Sequence, residues 1–356
     1  MIKLLVVDDS ALVRKLIGQA FATQDDFEVQ FARNGREALA AIAKSRPDVI
    51  TLDVHMPEMD GFACLDRIMI ETPCPVVMVS SMTEAGADAT LEALRLGAVD
   101  FVAKPTGAVS LRFDDVARQL IEKVRAAAGA RLKTSLRLRQ KVRFRIGDGH
   151  RATQPSAVRK AKRGAEGDGL VLVGTSTGGP PALEALLTAL PASFPWPILV
   201  AQHMPATFTG PLARRLNELC EVEVQEVRAP IALKPGHVYV GRGDADIIVS
   251  KRATGLVAMA APAQPGYPWH PSTDRLVRSA LNHLAPSRLI GILMTGMGND
   301  GAEAMTLIHT GGGRTIAEAE ETAVVWGMPG ELVKADGADF VVPLNEIAAQ
   351  LKKLVS

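Results

Sequence analysis

Short apolar runs that stop on a polar residue recur along this chain, each followed by a stretch with apolar residues at helical spacing. IKLLVVD stops at Asp8, DVITLD at Asp53, PVVMVS at Ser80 and VDFVAK at Lys104. Between the runs lie helix-like segments such as Ala11–Ala22 and Arg36–Ala43. The series closes on Phe113–Ala128, where Val116, Leu120 and Val124 form one stripe. Strand-like runs alternating with helical stretches imply a parallel sheet covered by helices on both faces. From Gly169 the rhythm resumes. Leu170–Val173, Ile198–Ala201 and Leu289–Thr295 read as buried strands, and Pro180–Leu190 and Gly210–Leu219 as helices. His237–Ala260 has shorter runs and turn residues and reads as a hairpin insertion. The expected class is therefore α/β twice over, the second half being a doubly wound, mostly parallel sheet with a small hairpin insertion.

At 356 residues the chain exceeds a usual single domain. The two halves are separated by a linker, expected over 129–168, whose charge is one-sided. Arg131–Arg163 holds twelve Lys or Arg against the single acid Asp148, although the whole chain is only +1. A basic strap thus joins two acidic bodies. Within it Leu136–Ile146 (LRLRQKVRFRI) alternates apolar and basic residues at period two, a strand template. It reads either as a solvated tether or as a strap that docks on an acidic face. The cysteines are three, Cys64, Cys74 and Cys220, with no C-x-x-C pair. An odd count argues against a disulfide framework and fits reduced thiols in the cytoplasm. The opening MIKLLVVDDS meets two acids after a short apolar run and reads as a first strand rather than a signal peptide. No apolar stretch approaches the ~18 residues of a bilayer span, so direct membrane insertion is not expected.

In a parallel α/β sheet, functional groups collect at the carboxyl ends of the strands. Asp8, Asp9, Asp53, Ser80 and Lys104 all fall there. Any one of these acids alone would read as a strand-end cap. Three carboxylates packed together repel one another unless a divalent cation sits among them, and an all-oxygen set with open water positions suits Mg²⁺. Such a pocket accepts a phosphoryl group: the Asp53 carboxylate attacks phosphorus, Lys104 pairs with the acyl phosphate and the Ser80 hydroxyl donates to it.

In the second half, Leu170–Val173 runs into Gly174-Thr175-Ser176-Thr177-Gly178-Gly179-Pro180. G-T-S-T-G matches a nucleophile elbow, but a Gly-rich strand–helix turn also cradles pyrophosphate. The next run, PILVAQ, ends in Gln202-His203-Met204-Pro205, where a dinucleotide site would want an acid for the ribose. A histidine there serves as a base. The third run enters Gly296-Met297-Gly298-Asn299-Asp300-Gly301. Asp300 stands at the start of a helix, as an N-cap would. Beside Ser176 and His203 it reads instead as the acid that orients the imidazole. Backbone N–H groups of the glycine loops, with Thr177, Gly178 and Met297 as candidates, would stabilise an oxyanion. The order Ser…His…Asp differs from the Ser…Asp…His of α/β-hydrolases. His150 lies in the linker, and His237, His283 and His309 read as surface or packing residues. His270 sits in the aromatic-bearing stretch Tyr267-Pro-Trp-His-Pro-Ser-Thr-Asp274 and either borders a substrate groove or packs a loop. No Cys/His spacing suggests zinc.

The motifs VVDDS, LDVHMPEMDG, MVSS and FVAKP resemble those of receiver domains of two-component response regulators. The resemblance implies a (βα)5 receiver over 1–128, with Asp53 as phosphoacceptor and Asp8, Asp9, Asp53 and the backbone carbonyl of His55 as metal ligands. It also implies Phe101 as the aromatic switch position, beside Ser80 and Lys104. G-T-S-T-G-G, Q-H-M-P-x-x-F-T, P-S-T-D and T-G-M-G-N-D-G-A resemble the catalytic domain of chemotaxis protein-glutamate methylesterases, expected over 169–356. This second resemblance implies hydrolysis of glutamyl methyl esters on chemoreceptors and deamidation of some receptor glutamines, with no cofactor for the esterase chemistry. A chemotaxis histidine kinase would phosphorylate Asp53. Two other readings stay open. One is a phosphorylation-switched binding protein, although no helix-turn-helix pattern follows the receiver and the basic linker lacks a run of interleaved aromatics for nucleic acid. The other is a serine hydrolase acting on small esters.

Overall fold

The computed structural model describes residues 1–80, 83–104, 113–130 and 169–355. The expected strand template over 136–146 lies outside the described residues. The chain divides into two compact units, Met1–Gln154 and Pro155–Ser356.

The first unit runs β1 (Ile2–Val7), α1 (Ala11–Phe21), β2 (Phe27–Ala32), α2 (Gly35–Lys44), β3 (Val49–Asp53), α3 (Gly61–Glu71), β4 (Val76–Ser80), α4 (Glu84–Arg95), β5 (Asp100–Ala103) and α5 (Phe113–Ala128). The sheet order is β2-β1-β3-β4-β5, parallel throughout. The central strands β3 and β4 are buried along their whole length, which is why VITLD and VVMVS are apolar without alternation. The edge strand β2, FEVQFA, is buried only at its two ends. Its mixed character leaves no continuous apolar run, so nothing in the local sequence singles it out as a strand. Helix starts are fixed locally: Ser10, Asn34, Asp60 and Thr83 each cap the following helix through a side-chain oxygen. Strand order reverses between β1 and β3, so a crevice opens at their carboxyl ends.

The second unit is built on a seven-stranded parallel sheet ordered β15-β14-β13-β6-β7-β10-β8. Its strands are β6 (Leu170–Thr175), β7 (Ile198–Gln202), β8 (Glu223–Val227), β10 (His237–Gly241), β13 (Leu289–Leu293), β14 (Arg314–Glu318) and β15 (Phe340–Val342). The helices are α6 (Gly179–Leu187), α7 (Ala206–Leu219), α8 (Thr273–Leu281), α9 (Ala302–Thr310), α10 (Met328–Lys334) and α11 (Leu344–Leu354). A separate antiparallel sheet joins β9 (Ile231–Ala232) to the hairpin of β11 (Ala245–Arg252) and β12 (Gly255–Pro262). The expected insertion over His237–Ala260 is thus two things. Only Ala245–Pro262 is the hairpin; His237–Gly241 is a main-sheet strand, buried from Val238 onward because β7 and β8 flank it. The core lies between sheet and helices, with Leu172, Leu199, Tyr239, Leu276, Leu293 and Met305 all at 0 % exposure.

Strands β13, β6 and β7 lie side by side. Chain direction fans outward from β6 to both sides, which makes the β13–β6 junction the switch point of this sheet. Ser176 follows β6, His203 follows β7, and Asp300 stands in the loop after β13. Three segments far apart in sequence are thereby delivered to one end of the sheet.

Candidate active site

The first cluster lies at the crevice of the smaller sheet. Asp8 and Asp53 are buried, at 1 % and 2 % exposure, and Asp9 is exposed. Their carboxylates lie within 4.8 Å of one another. Lys104 reaches in from the end of β5, its Nζ 3.0 Å from Asp8 Oδ2 and 2.7 Å from Asp53 Oδ2. Burial raises the pKa of Asp8; Lys104 pulls it down, and the charge of Asp53 pushes it up again. For Lys104 burial works against the charge, but the bond to Asp53 and the attraction of both acids outweigh it and raise its pKa. The Lys104 ammonium pairs with two of the three carboxylates, and Asp8 Oδ2 receives no aligned hydrogen bond despite its ion-pair contact. Hard oxygen donors with uncompensated negative charge fit a divalent cation.

The other expected functional residues of this half are placed around the cluster. The Ser80 hydroxyl donates to Gly86 O on α4 at 3.2 Å, so its hydrogen bond goes to the helix rather than to the acids. Phe101 is buried at 3 % exposure. Lys123 of α5 lies 5.0 Å from its ring centroid and donates to the Asp100 carboxylate and the Phe101 carbonyl at 2.8 Å each. The His55 N–H donates to Asp53 Oδ1 at 3.3 Å, leaving the residue's carbonyl in the loop directly after the acid.

The second cluster begins at the sharp turn after β6. Gly178 has φ +77° and starts α6, a conformation that a side chain disfavours. Ser176 is fixed through its backbone: its N–H donates to Thr295 O at 3.0 Å, and its carbonyl accepts from Gly179 N at 2.8 Å. Gln202, at 2 % exposure, ties this turn to the next, since its Nε2 donates to both Ser176 O (3.0 Å) and His203 O (3.1 Å). The ends of β6 and β7 are thereby one hydrogen-bonded piece.

His203 Nε2 lies 2.8 Å from Asp300 Oδ2. An ionised carboxylate only accepts, so Nε2 carries the proton and Nδ1 presents the lone pair. Nδ1 is buried and has no hydrogen-bond partner, so Ser176 Oγ and His203 are not bonded to each other here. A hydroxyl–imidazole bond that is absent without substrate does not exclude the pair from proton transfer. Asp300 is at 3 % exposure. Burial alone would raise its pKa, but the bond to His203 and backbone N–H groups from Thr273 and Asp274 outweigh that and hold it below the ordinary value.

Asp300 does sit at a helix N-terminus, but not that of the helix it precedes. Gly301 starts α9, while the Asp300 carboxylate accepts from the first amides of α8: Thr273 N at 2.6 Å and Asp274 N at 3.1 Å. Ser272, the N-cap of α8, adds its hydroxyl to Asp300 Oδ1 at 2.9 Å. In return Asp274 of α8 accepts from Ala304 N of α9 at 3.0 Å. The two helices exchange carboxylates.

Of the oxyanion candidates, the Met297 N–H finds no backbone acceptor among the described residues and is free to donate. Thr177 is buried at 2 % exposure and its carbonyl accepts from Thr295 Oγ1 at 2.8 Å, which ties the serine turn to the end of β13. Two further features were only hinted at in the sequence. Trp269 stacks on His203, with ring centroids 6.0 Å apart and planes 8° apart. Beside Asp300 an open cleft of ≈ 510 Å³ is bordered by Tyr267, Trp269, Asp274, Arg278, Asn299 and Glu303. The only signal for either was the aromatic density of Tyr267–Trp269 in a chain that is 4 % aromatic. His270, expected either to border the groove or to pack a loop, bonds through Nδ1 to the buried Asp246 at 2.8 Å.

Comparison with known proteins gives a consistent result. Residues 171–351 match the family described as CheB methylesterase, and residues 4–113 match the response regulator receiver domain. The chain is 55% identical to a protein-glutamate methylesterase/protein-glutamine glutaminase 2 of Rhodopseudomonas palustris, over 98% of this chain and 97% of that one. It is 52% identical to a protein-glutamate methylesterase/protein-glutamine glutaminase 3 of Rhodospirillum rubrum, over 100% of this chain and 97% of that one. Among solved structures it is similar to the catalytic domain of the Thermotoga maritima CheB methylesterase, at 35% identity and a TM-score of 0.51, covering 52% of this chain and 98% of that one.

Proposed function

This chain belongs to the CheB methylesterase family, with a response regulator receiver domain ahead of its catalytic half, and we propose that it demethylates chemoreceptor glutamates under phosphorylation control. The same site deamidates receptor glutamines, and the pair of activities serves adaptation in chemotaxis-type signalling. The observation that carries the reading is the His203–Asp300 pair at 2.8 Å, which leaves a lone pair on His203 Nδ1 at the strand end beside Ser176.

The chemistry is a two-step acyl transfer. Ser176 Oγ attacks the ester carbonyl and its proton passes to His203 Nδ1. Asp300, held ionised by its surroundings, steadies the resulting imidazolium. The Met297 N–H, with Thr177 and Gly178 at the start of α6, faces the developing oxyanion; each such donor is worth roughly 10²–10³ in rate. The proton on Nδ1 leaves with methanol, or with ammonia when a glutamine is the substrate. A water molecule then gives its proton to Nδ1 and its oxygen to the acyl carbon; Nδ1 returns that proton to Ser176 Oγ as the acyl–oxygen bond breaks, releasing glutamate and restoring Ser176.

In the receiver, Asp53 takes a phosphoryl group from a chemotaxis histidine kinase. Asp8, Asp9, Asp53 and the His55 carbonyl would hold Mg²⁺, whose charge offsets that of the phosphoryl oxygens. Lys104 exchanges its pairing with the Asp53 carboxylate for one with the acyl phosphate. The Ser80 hydroxyl turns from Gly86 towards the phosphoryl group, and the buried Phe101 ring follows. The change in the receiver shifts the population of a hydrolytically competent enzyme.

The test is methanol release from methyl-labelled chemoreceptor membranes, with and without a small phosphodonor and Mg²⁺. Release that rises with the donor is expected. Ser176→Ala in the same assay should lower release by on the order of 10⁴ or more, and retained turnover would exclude Ser176 as nucleophile. Release from chromogenic esters but from no receptor would favour the small-ester hydrolase instead.

A further inference from the structure

Hydrogen bonding fixes the imidazole of His203 along one edge only. Nε2 is tied to Asp300, while Nδ1 has no partner. Joined to the chain at Cγ and hydrogen-bonded only at Nε2, the ring can still turn about Cβ–Cγ, and that turn moves Nδ1 relative to Ser176. A second contact on the ring is the stack with Trp269, at 6.0 Å and 8°. That spacing is within the range of favourable aromatic pairs. A further neighbour of the indole is Gly298, whose φ of +82° and lack of a Cβ let the ring approach; a Cβ there would lie 2.7 Å from Trp269 Cζ2. Gly298 is next to Met297. One indole therefore touches both the base and the loop that carries the free N–H.

The stretch bearing Trp269 is itself pinned from below. Asp246 is fully buried at 0 % exposure and spends both carboxylate oxygens on this stretch. It accepts from His270 Nδ1 at 2.8 Å, from Ser272 N at 2.7 Å and from the Arg275 guanidinium. Such a buried, fully bonded carboxylate fixes the conformation of the chain around it. The residues it pins, Ser272 onward, are those that feed Asp300. Asp246 thus anchors the edge restraint and the face restraint together.

We propose that Trp269 is a positioning residue for the reaction, holding the His203 imidazole face and the Met297–Gly298 loop in register, with Asp246 as the anchor of its loop. The proposal rests on the reading of Ser176 and His203 as nucleophile and base, and it predicts a defect in turnover rather than in receptor affinity.

The experiment uses the full-length chain and two readouts. The first is the rate at which a small fluorophosphonate labels Ser176, which involves no receptor contact. The second is kcat and KM for methanol release from receptor membranes. Trp269→Ala should slow labelling by roughly 10²-fold and lower kcat by a similar factor, with KM unchanged. Trp269→Phe, which keeps a flat ring, should recover most of both. If the alanine variant does not fold, Trp269→Leu keeps the apolar bulk without the ring and takes its place. Labelling at the wild-type rate would overturn the proposal, as would a defect confined to KM, which would make the indole a receptor contact. If the folded wild type is not labelled at all, the nucleophile reading fails on its own. The imidazole nitrogen resonances of His203 then decide the positioning role, and resonances unchanged in Trp269→Ala would sink it.

Discussion

Asp300 accepts from two backbone amides, one hydroxyl and one imidazole. Asparagine would keep the size but lose the charge and present a donor where only acceptors fit. Asp300→Asn should therefore leave a folded chain with kcat for methanol release lowered by on the order of 10⁴. Its effect on stability has a defined pH window. The folded pKa lies below the ordinary 3.8, so the carboxylate's contribution is fully present above 3.8 and is lost as pH falls through the folded value. Chemical denaturation of wild type and Asp300→Asn across acidic pH should give a stability gap that is level above 3.8 and closes below it. In the other half, Asp53→Asn should give an enzyme with basal methanol release and no rise on adding a phosphodonor with Mg²⁺; a response equal to wild type would remove Asp53 as acceptor. Asp53 ends a strand and Asp300 closes a glycine loop that follows one, which is why local sequence exposed them. The role of Trp269 was not legible, because the stack depends on a loop whose path is set by Asp246, a residue distant in sequence on β11. The helix that Asp300 caps was not legible either: adjacency pointed to α9, whereas the carboxylate serves α8, whose start lies 27 positions earlier.

Among the elements, the tight turns transmit sequence into site geometry most directly. Gly298 combines φ +82° with an indole against its α-carbon. Gly298→Ala should destabilise the chain by roughly 1–2 kcal/mol from the left-handed backbone alone, read as a lower midpoint in urea. It should also slow methanol release, because the indole is displaced from His203. An alanine variant with wild-type stability and turnover would show that the loop has room to adjust. The strands were easy to read where they lie inside a sheet and are apolar throughout, as in β3, β4, β6 and β7. They were hard to read at edges and insertions. HVYVG of β10 looks like half of a hairpin because a hairpin follows it, and its burial comes from strands that are neighbours in space rather than in sequence. Pairing is a tertiary decision, and periodicity carries no information about it.

At the scale of the molecule, two units each bury their own apolar strands, and the three cysteines are divided between them. All three thiols are buried, and burial pushes each pKa up to about 12. The native chain should therefore not react with a thiol reagent at neutral pH, and each thiol should become available only with unfolding of its own unit. Rapid reaction of any one thiol in the native chain would contradict this. The exchange of carboxylates between α8 and α9 has a further consequence, for the order in which the enzyme comes into being. During synthesis Ser176 and His203 emerge long before Asp300. Until α9 docks, α8 lacks the acid that caps it, and the imidazole lacks the acid that selects its tautomer. A chain made only as far as α8, or one in which α9 has come away, holds His203 without the carboxylate that bonds its Nε2. On the proposed roles of Ser176, His203 and Asp300, a copy in which α9 has come away from α8 would fall silent rather than demethylate without control.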